Sequence, residues 1–238
     1  MISVGQNGGK SYRDSGVASM SDPVVAGRQL PRGRHGLPRE TVVASQRDRI
    51  LTAMAQAMAE NGYVGTSVAV IIKRAGVSRE TFYEQFRSKE DCFEAAYERA
   101  ARLLLERIVE ATGTPEPAPV TREERIEAML DAYLSGLAAE PADARLFLIE
   151  VYAVGPEAIA RRGELQESFA TMVADILDAH TAEQHFACQT LVAALSAMVT
   201  ARVAADDLDG LRALREPLLE LLRRSGDLFG QQEPITSR

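Results

Sequence analysis

The chain has 238 residues, 34 acidic against 27 basic side chains, 46% hydrophobic and 5% aromatic content, and two Cys. That length buries a core in one large domain or two small ones, while two thiols, Cys92 and Cys188, exclude a disulfide scaffold and fit a reducing cytoplasm. No apolar run reaches about 18 residues and the first residues form no apolar segment, so neither a transmembrane helix nor a secretory signal is expected.

A net charge of −7 argues against a phosphate-binding surface only as an average. Residues 1–92 hold 13 basic and 9 acidic side chains, a balance of +4; the remainder holds 14 and 25, a balance of −11. Such asymmetry hints at nucleic-acid contact through the N-terminal part.

Seven of the 17 Gly and three of the ten Pro fall before residue 39. Residues 1–40 therefore read as a flexible basic tail that buries too little apolar surface to order itself. From Gln46 onward no stretch alternates with period two, so the fold class is all-α, with about nine helices. They are expected near 46–61, 67–75, 79–86, 89–112, 122–139, 142–153, 157–179, 182–206 and 209–228. Ser45, Ser88, Thr121 and Thr181 read as helix N-caps, each followed three residues later by a side chain able to bond back: Asp48, Asp91, Glu124 and Gln184. Pro115, Pro117 and Pro119 mark a loop between two helical blocks.

In the first block Ile50, Leu51, Met54 and Met58 form an apolar stripe that ends at Asn61-Gly62, a C-cap pair. Val68, Ile71 and Ile72 give a short helix. Ala75-Gly76-Val77-Ser78 then supplies a left-handed turn, a core plug and a cap for the next helix. Phe82 and Phe86 point inward and leave Arg79, Glu80, Tyr83 and Gln85 outside. A helix, a Gly turn and a short capped helix make the helix-turn-helix pattern, whose second helix enters the major groove.

The residues Gly62-Tyr63, Thr66-Ser67-Val68, Ile71, Ala75-Gly76-Val77-Ser78-Arg79-Glu80-Thr81-Phe82-Tyr83, Phe86 and Ser88-Lys89-Glu90-Asp91 together resemble the DNA-binding domain of the TetR family of bacterial transcriptional regulators. That resemblance implies a three-helix DNA-binding domain over 41–97 and a larger helical regulatory and dimerisation domain over 98–238. It implies phosphate contacts from Thr66, Ser67, Tyr83 and Lys89, and base-edge contacts from Arg79, Glu80 and Thr81, with Ser78 capping the recognition helix. Glu84-Gln85 departs from the aromatic or basic pair common in the family, so Gln85 is open between a phosphate contact and reading adenine. Arg32 and Arg34 in the tail suit a minor-groove arm; the competing reading is a solvated terminus.

The second block carries wide apolar helical faces, and the resemblance implies a small-molecule pocket among them. Tyr133, Phe147, Tyr152, Phe169, Met172 and Gln189 are its candidate lining, with Glu150 as a polar anchor and an apolar or aromatic effector as the ligand. The competing reading is plain core. The helix at 182–206 is apolar nearly all round and so is expected to be covered on both sides. With the helix at 209–228, kinked at Pro217, it suggests a two-fold homodimer interface carrying Leu191, Leu195, Met198, Leu211, Leu218 and Leu222.

His35, His180 and His185 are the three His, and Asp178, His180, Glu183 and His185 straddle a cap instead of sharing a face. No metal, cofactor or catalytic constellation is expected. The leading function is a ligand-responsive transcriptional repressor that binds a palindromic DNA operator as a homodimer. The alternative is a protein-interaction module whose helix-turn-helix no longer reads DNA.

Overall fold

The computed structural model describes residues 39–113 and 121–230, and every regular element among them is helical. The Pro115–Pro119 loop, Arg32, Arg34 and residues 1–38 of the expected tail lie outside the described residues.

The first helix, α1 (Arg39–Gly65), begins well before Gln46. Ser45 is therefore an interior residue and not a cap, and Arg39 and Glu40 belong to a helix instead of a tail. Glu40 stands in the first turn, where a carboxylate favours the helix dipole, and Val42 and Gln46 are both half-buried one turn apart. Gly62, at φ 68° and ψ 170°, breaks the helix where Asn61-Gly62 was expected to end it. The next two helices are α2 (Val68–Ala75) and α3 (Arg79–Gln85), and then the long α4 (Lys89–Thr112).

The body holds α5 (Arg122–Ala139), α6 (Pro141–Leu148), α7 (Pro156–Ile176), α8 (Ala182–Ala204), α9 (Leu208–Arg212) and α10 (Arg215–Arg224). Expected caps at Ser88, Thr121 and Thr181 are present, the last two as reciprocal capping boxes with Glu124 and Gln184. The helix expected at 142–153 is α6 continued by a 3₁₀ turn at Glu150–Ala153. The one expected at 209–228 is divided at Ala213-Leu214, so ten α-helices stand among the described residues where about nine were expected. Pro217 does not kink its helix: it sits in the first turn of α10, where its missing N–H has no intrahelical partner to lose.

Ile50, Met54, Met58, Ile71, Phe82, Phe86 and Phe93 make the core around α1–α3, and Leu146 and Val151 from the body close it. α4 passes through position 97, so head and body share a continuous helix. α4 packs on α5, and α7 on α8, around a second core. Arg215 reaches Asp131 and Glu127, and Arg223 reaches Glu123 and Glu127, so α10 is tied along α5 by exposed ion pairs worth little individually.

Three of the six residues expected at a dimer interface lie instead in the protomer's own core: Leu195, Leu211 and Leu218. Leu191 and Leu222 pack against that same core, and only Met198 is exposed. The reason is a division of α8 by side-chain size. Cys188, Val192, Leu195, Val199 and Val203 face inward, while Ala193, Ala194, Ala197 and Ala201 are exposed beside Phe186 and Met198. One protomer therefore covers one face of α8 and not both. By length and composition α8, 23 residues long and with an 18-residue window of mean hydropathy 1.5, is apolar enough to cross a membrane, which qualifies the expectation of no such helix.

Candidate functional site

The α2–α3 unit is built by a few local rules. Ser67 caps α2 by accepting from the Val70 amide, and Gly76 ends it in the left-handed region at φ 64° and ψ 40°. The Val77 amide then donates to the Ile72 carbonyl at 3.2 Å, the six-residue closure of a helix C-terminus. Ser78 caps α3 by accepting from the Thr81 amide at 3.0 Å, and its hydroxyl is 2.9 Å from that of Thr81.

α3 is held from behind. Phe82 is fully buried and Phe86 nearly so; burial of two such rings contributes about 1.5–3 kcal/mol each. Arg47 stacks 4.4 Å from the Phe86 ring and donates to the Gln85 carbonyl, and Arg49 donates to the Ala75 carbonyl at 3.0 Å. Both guanidiniums thus sit at helix C-termini, where a cation is favoured. Arg74 is paired with Glu60.

On the outer face Arg79, Glu80, Tyr83 and Glu84 are exposed and Thr81 is half-buried. The Arg79 guanidinium lies over the Tyr83 ring, 5.3 Å from its centre, so the two side chains form one surface. Ser67 and Ser78 are exposed at the two helix starts.

Three sequence-expected residues are placed differently. Thr66 is fully buried and its hydroxyl donates to the Gly62 carbonyl at 2.8 Å, so it builds the turn and is not available to phosphate. Lys89 is half-buried, with its ammonium donating to the Tyr63 carbonyl at 3.0 Å and lying 3.8 Å from the Tyr63 ring. The Gln85 side-chain oxygen is buried without a hydrogen-bond partner.

Glu150 is not a pocket anchor. Its carboxylate accepts from the Tyr63 amide at 2.9 Å and lies 3.6 Å from Arg145, which ties the body to the turn that leads into α2. The same Tyr63 donates its hydroxyl to Glu90 at 2.7 Å, which holds that carboxyl below the usual range, while burial pushes the phenol up. Rings continue from Tyr63 to Phe93, then Tyr97 and Phe147, with centres 5.9, 6.0 and 5.4 Å apart.

Phe147 ends that series in the wall of a cavity of about 40 Å³ between α4, α5, α6, α7 and α8. Of the expected lining, Tyr133, Phe147 and Phe169 are there. Tyr152 and Gln189 are exposed on the surface, and Met172 packs against the core away from the cavity wall. Leu104, Leu105, Leu165, Val192 and Leu195 supply apolar walls, and Arg162, Gln166 and Ser196 supply polar ones. A second apolar space, of about 20 Å³, lies past Tyr133 and Phe169 towards Leu218 and Leu222. Sequence reasoning missed Arg162. The signal was its register, since it stands with Ala158, Leu165, Phe169, Val173 and Ile176 on the inward stripe of α7.

A helix-turn-helix head with an outward polar helix, continuous with a helical body that encloses an apolar cavity, defines a DNA-binding transcription regulator. The chain matches the bacterial regulatory proteins, tetR family, over residues 50–96. It is 26% identical over 182 residues to the fatty acid metabolism regulator protein of Bacillus subtilis (strain 168), covering 73% of this chain and 92% of that protein. It is 25% identical over 155 residues to the HTH-type transcriptional activator FasR of Mycolicibacterium smegmatis, covering 63% of this chain and 67% of that one. Its fold is similar to that of FadR from Bacillus subtilis solved in complex with stearoyl-CoA, with a TM-score of 0.63, 25% identity, and coverage of 75% of this chain and 98% of that chain.

Proposed function

We propose that the chain is a homodimeric, effector-responsive repressor that acts in the cytoplasm, reads a palindromic operator with α3, and takes an acyl-chain effector into the body. The observation that carries this reading is the two-sided α3: Phe82 fully buried behind, Arg79, Glu80 and Tyr83 exposed in front. Packing of the head requires no such polar face. Arg79 suits a guanine edge and Thr81 a thymine methyl. Ser67, Ser78, Tyr83 and the remaining donors of Lys89 suit phosphate, which sets register more than sequence.

Residues 41–97 then act as the reading head, 98–238 as the effector and dimerisation body, and Arg32 and Arg34 as a minor-groove arm. The exposed Ala face of α8 with Phe186 and Met198, and the exposed Leu221 of α10, support a two-fold contact between bodies. The two adjoining apolar spaces, which share Tyr133 and Phe169, and the similarity to a fatty acid metabolism regulator and to a stearoyl-CoA complex, support an acyl-chain effector. No catalytic step is part of this reading. The effector favours the dimer state whose α3 helices no longer match half-sites about 34 Å apart, which requires different affinity for the two states.

The test is selection of bound sequences from random DNA by the full chain, with and without palmitoyl-CoA. The expected result is a palindromic motif bound in a strongly salt-dependent way and released by the acyl compound. No sequence-selective, salt-sensitive complex would overturn DNA reading in favour of a protein-interaction module with this fold. Transcription from the selected operator, raised and not lowered by the protein, would overturn repression.

A further inference from the structure

Arg162 sits in the cavity wall on α7, 9% exposed, among apolar side chains. One of its terminal nitrogens donates to the Gln166 side chain at 3.1 Å and another to the Ser196 hydroxyl at 3.0 Å, and the Tyr152 ring centre lies 5.3 Å from its Cζ. All three partners are neutral. Its Nε is buried without a partner, and no carboxylate among the described residues pairs with it. A buried cation without a counter-ion is costly, since attraction to an opposite charge is what offsets lost hydration. A planar guanidinium with an unused donor is also a strong receptor for a carbonyl or carboxylate oxygen.

The surroundings fit one end of an amphiphile. Apart from Arg162, Gln166, Ser196 and the Tyr133 hydroxyl, the described walls of the cavity are apolar, and the second apolar space adjoins it at Tyr133 and Phe169. In the other direction Ala101, Leu105 and Leu165 are shared with an open groove between α4 and α7. Tyr97 lines that groove, and its hydroxyl is buried without a hydrogen-bond partner.

We propose that Arg162 anchors the head of the effector, its guanidinium donating to the carboxylate or thioester carbonyl oxygen of a ligand whose acyl tail lies between α5, α7 and α8. The anchor rests on the acyl-effector reading above and adds which atom of the ligand is recognised. A free fatty acid and an acyl thioester share this chemistry. They differ beyond the carbonyl: a carboxylate ends there, and a thioester continues outward along the α4–α7 groove.

The experiment uses calorimetric binding to the full-length protein with two ligand pairs: palmitate against hexadecanol, and palmitoyl-CoA against its S-hexadecyl thioether, which lacks the carbonyl. The carbonyl-bearing member of at least one pair is expected to bind roughly tenfold to a hundredfold tighter, and that pair identifies the source. Arg162→Met is expected to bring the ratio near one while leaving the carbonyl-free ligand's affinity unchanged. Arg162→Lys, which keeps the charge but not the Nε donor, is expected to give an intermediate ratio and tests the anchor even if the Met variant does not fold. Equal affinities within both pairs, or a full ratio retained in both variants, overturn the anchor. A merely structural Arg162 would lower all four affinities together. If acyl compounds release DNA from wild type and variants alike, only the anchor fails; if none binds wild type or releases DNA, the acyl-effector reading fails with it.

Discussion

Replacing Glu150 by Ala removes the acceptor of the Tyr63 amide and the partner of Arg145 without touching any residue of the outer α3 face. The amide is left buried. Loss of a hydrogen bond to a charged acceptor, with an orphaned donor, costs about 1.5–3 kcal/mol. The pair with Arg145, 3.6 Å apart, adds at most about 1 kcal/mol, because the guanidinium is partly exposed. Relief of the carboxylate's own desolvation opposes both, so a net loss of about 2–3 kcal/mol is expected, a large share of a stability of about 5–15 kcal/mol. Glu150→Gln keeps a neutral acceptor of the same shape, and about half the hydrogen-bond strength, so it is expected to cost about 1 kcal/mol. Denaturant unfolding followed by circular dichroism measures both, at one protomer concentration because a dimer's stability depends on it. Operator binding by the same variants should fall in the same order, since the freed turn leads directly into α2. An Ala variant within about 0.5 kcal/mol of wild type, or a Gln variant as damaged as Ala, would refute the assignment of Glu150 as the tie between body and head.

Three further outcomes are expected. Arg79→Ala leaves stability within about 0.5 kcal/mol, because the side chain is exposed, but weakens operator binding by about 1–3 kcal/mol in fluorescence anisotropy and relaxes selection at one base pair; unchanged selectivity would remove Arg79 from base reading. The Glu90 carboxyl is held low by the Tyr63 hydroxyl, so its ionised form favours the fold. That contribution is full above the ordinary value of 4.5 and is lost as pH falls through the lowered folded value, so Tyr63→Phe should flatten the acid limb of stability against pH. Burial pushes the Cys92 thiol up to about 12 and raises Cys188 as well, so both should resist alkylation at neutral pH at a rate set by unfolding; rapid labelling of native protein would contradict their burial.

The helix-turn-helix was legible because its signals are local. Gly76, Ser78 and the Phe82–Phe86 pair each act within a turn or two of chain, and the structure uses each as its spacing implies. Thr181–Gln184 and Thr121–Glu124 were legible for the same reason. Ser45 was misleading because a cap signal fixes a helix start only when nothing upstream continues the helix. Thr66 and Lys89 failed for another reason: the family pattern marks a position, and only packing shows whether its polar group points to solvent or to Gly62 and Tyr63.

The body was legible as helices and hardly at all as a site. Tyr133, Phe147 and Phe169 were found by residue type, yet Tyr152, Met172 and Gln189 satisfy the same criterion and stand elsewhere. Glu150 and Tyr63 meet across 87 positions, and Arg162 meets Ser196 across 34, separations over which periodicity carries no information. The sequence by itself determined the all-α class, most helix boundaries to within a few residues and the polar face of α3, because capping and amphipathic spacing are short-range. Only the tertiary structure decided which Leu of α8–α10 belong to the protomer's own core, which acid ties body to head, and where an unpaired cation is buried. Those outcomes depend on which faces of distant helices meet, and that is settled by packing and desolvation together.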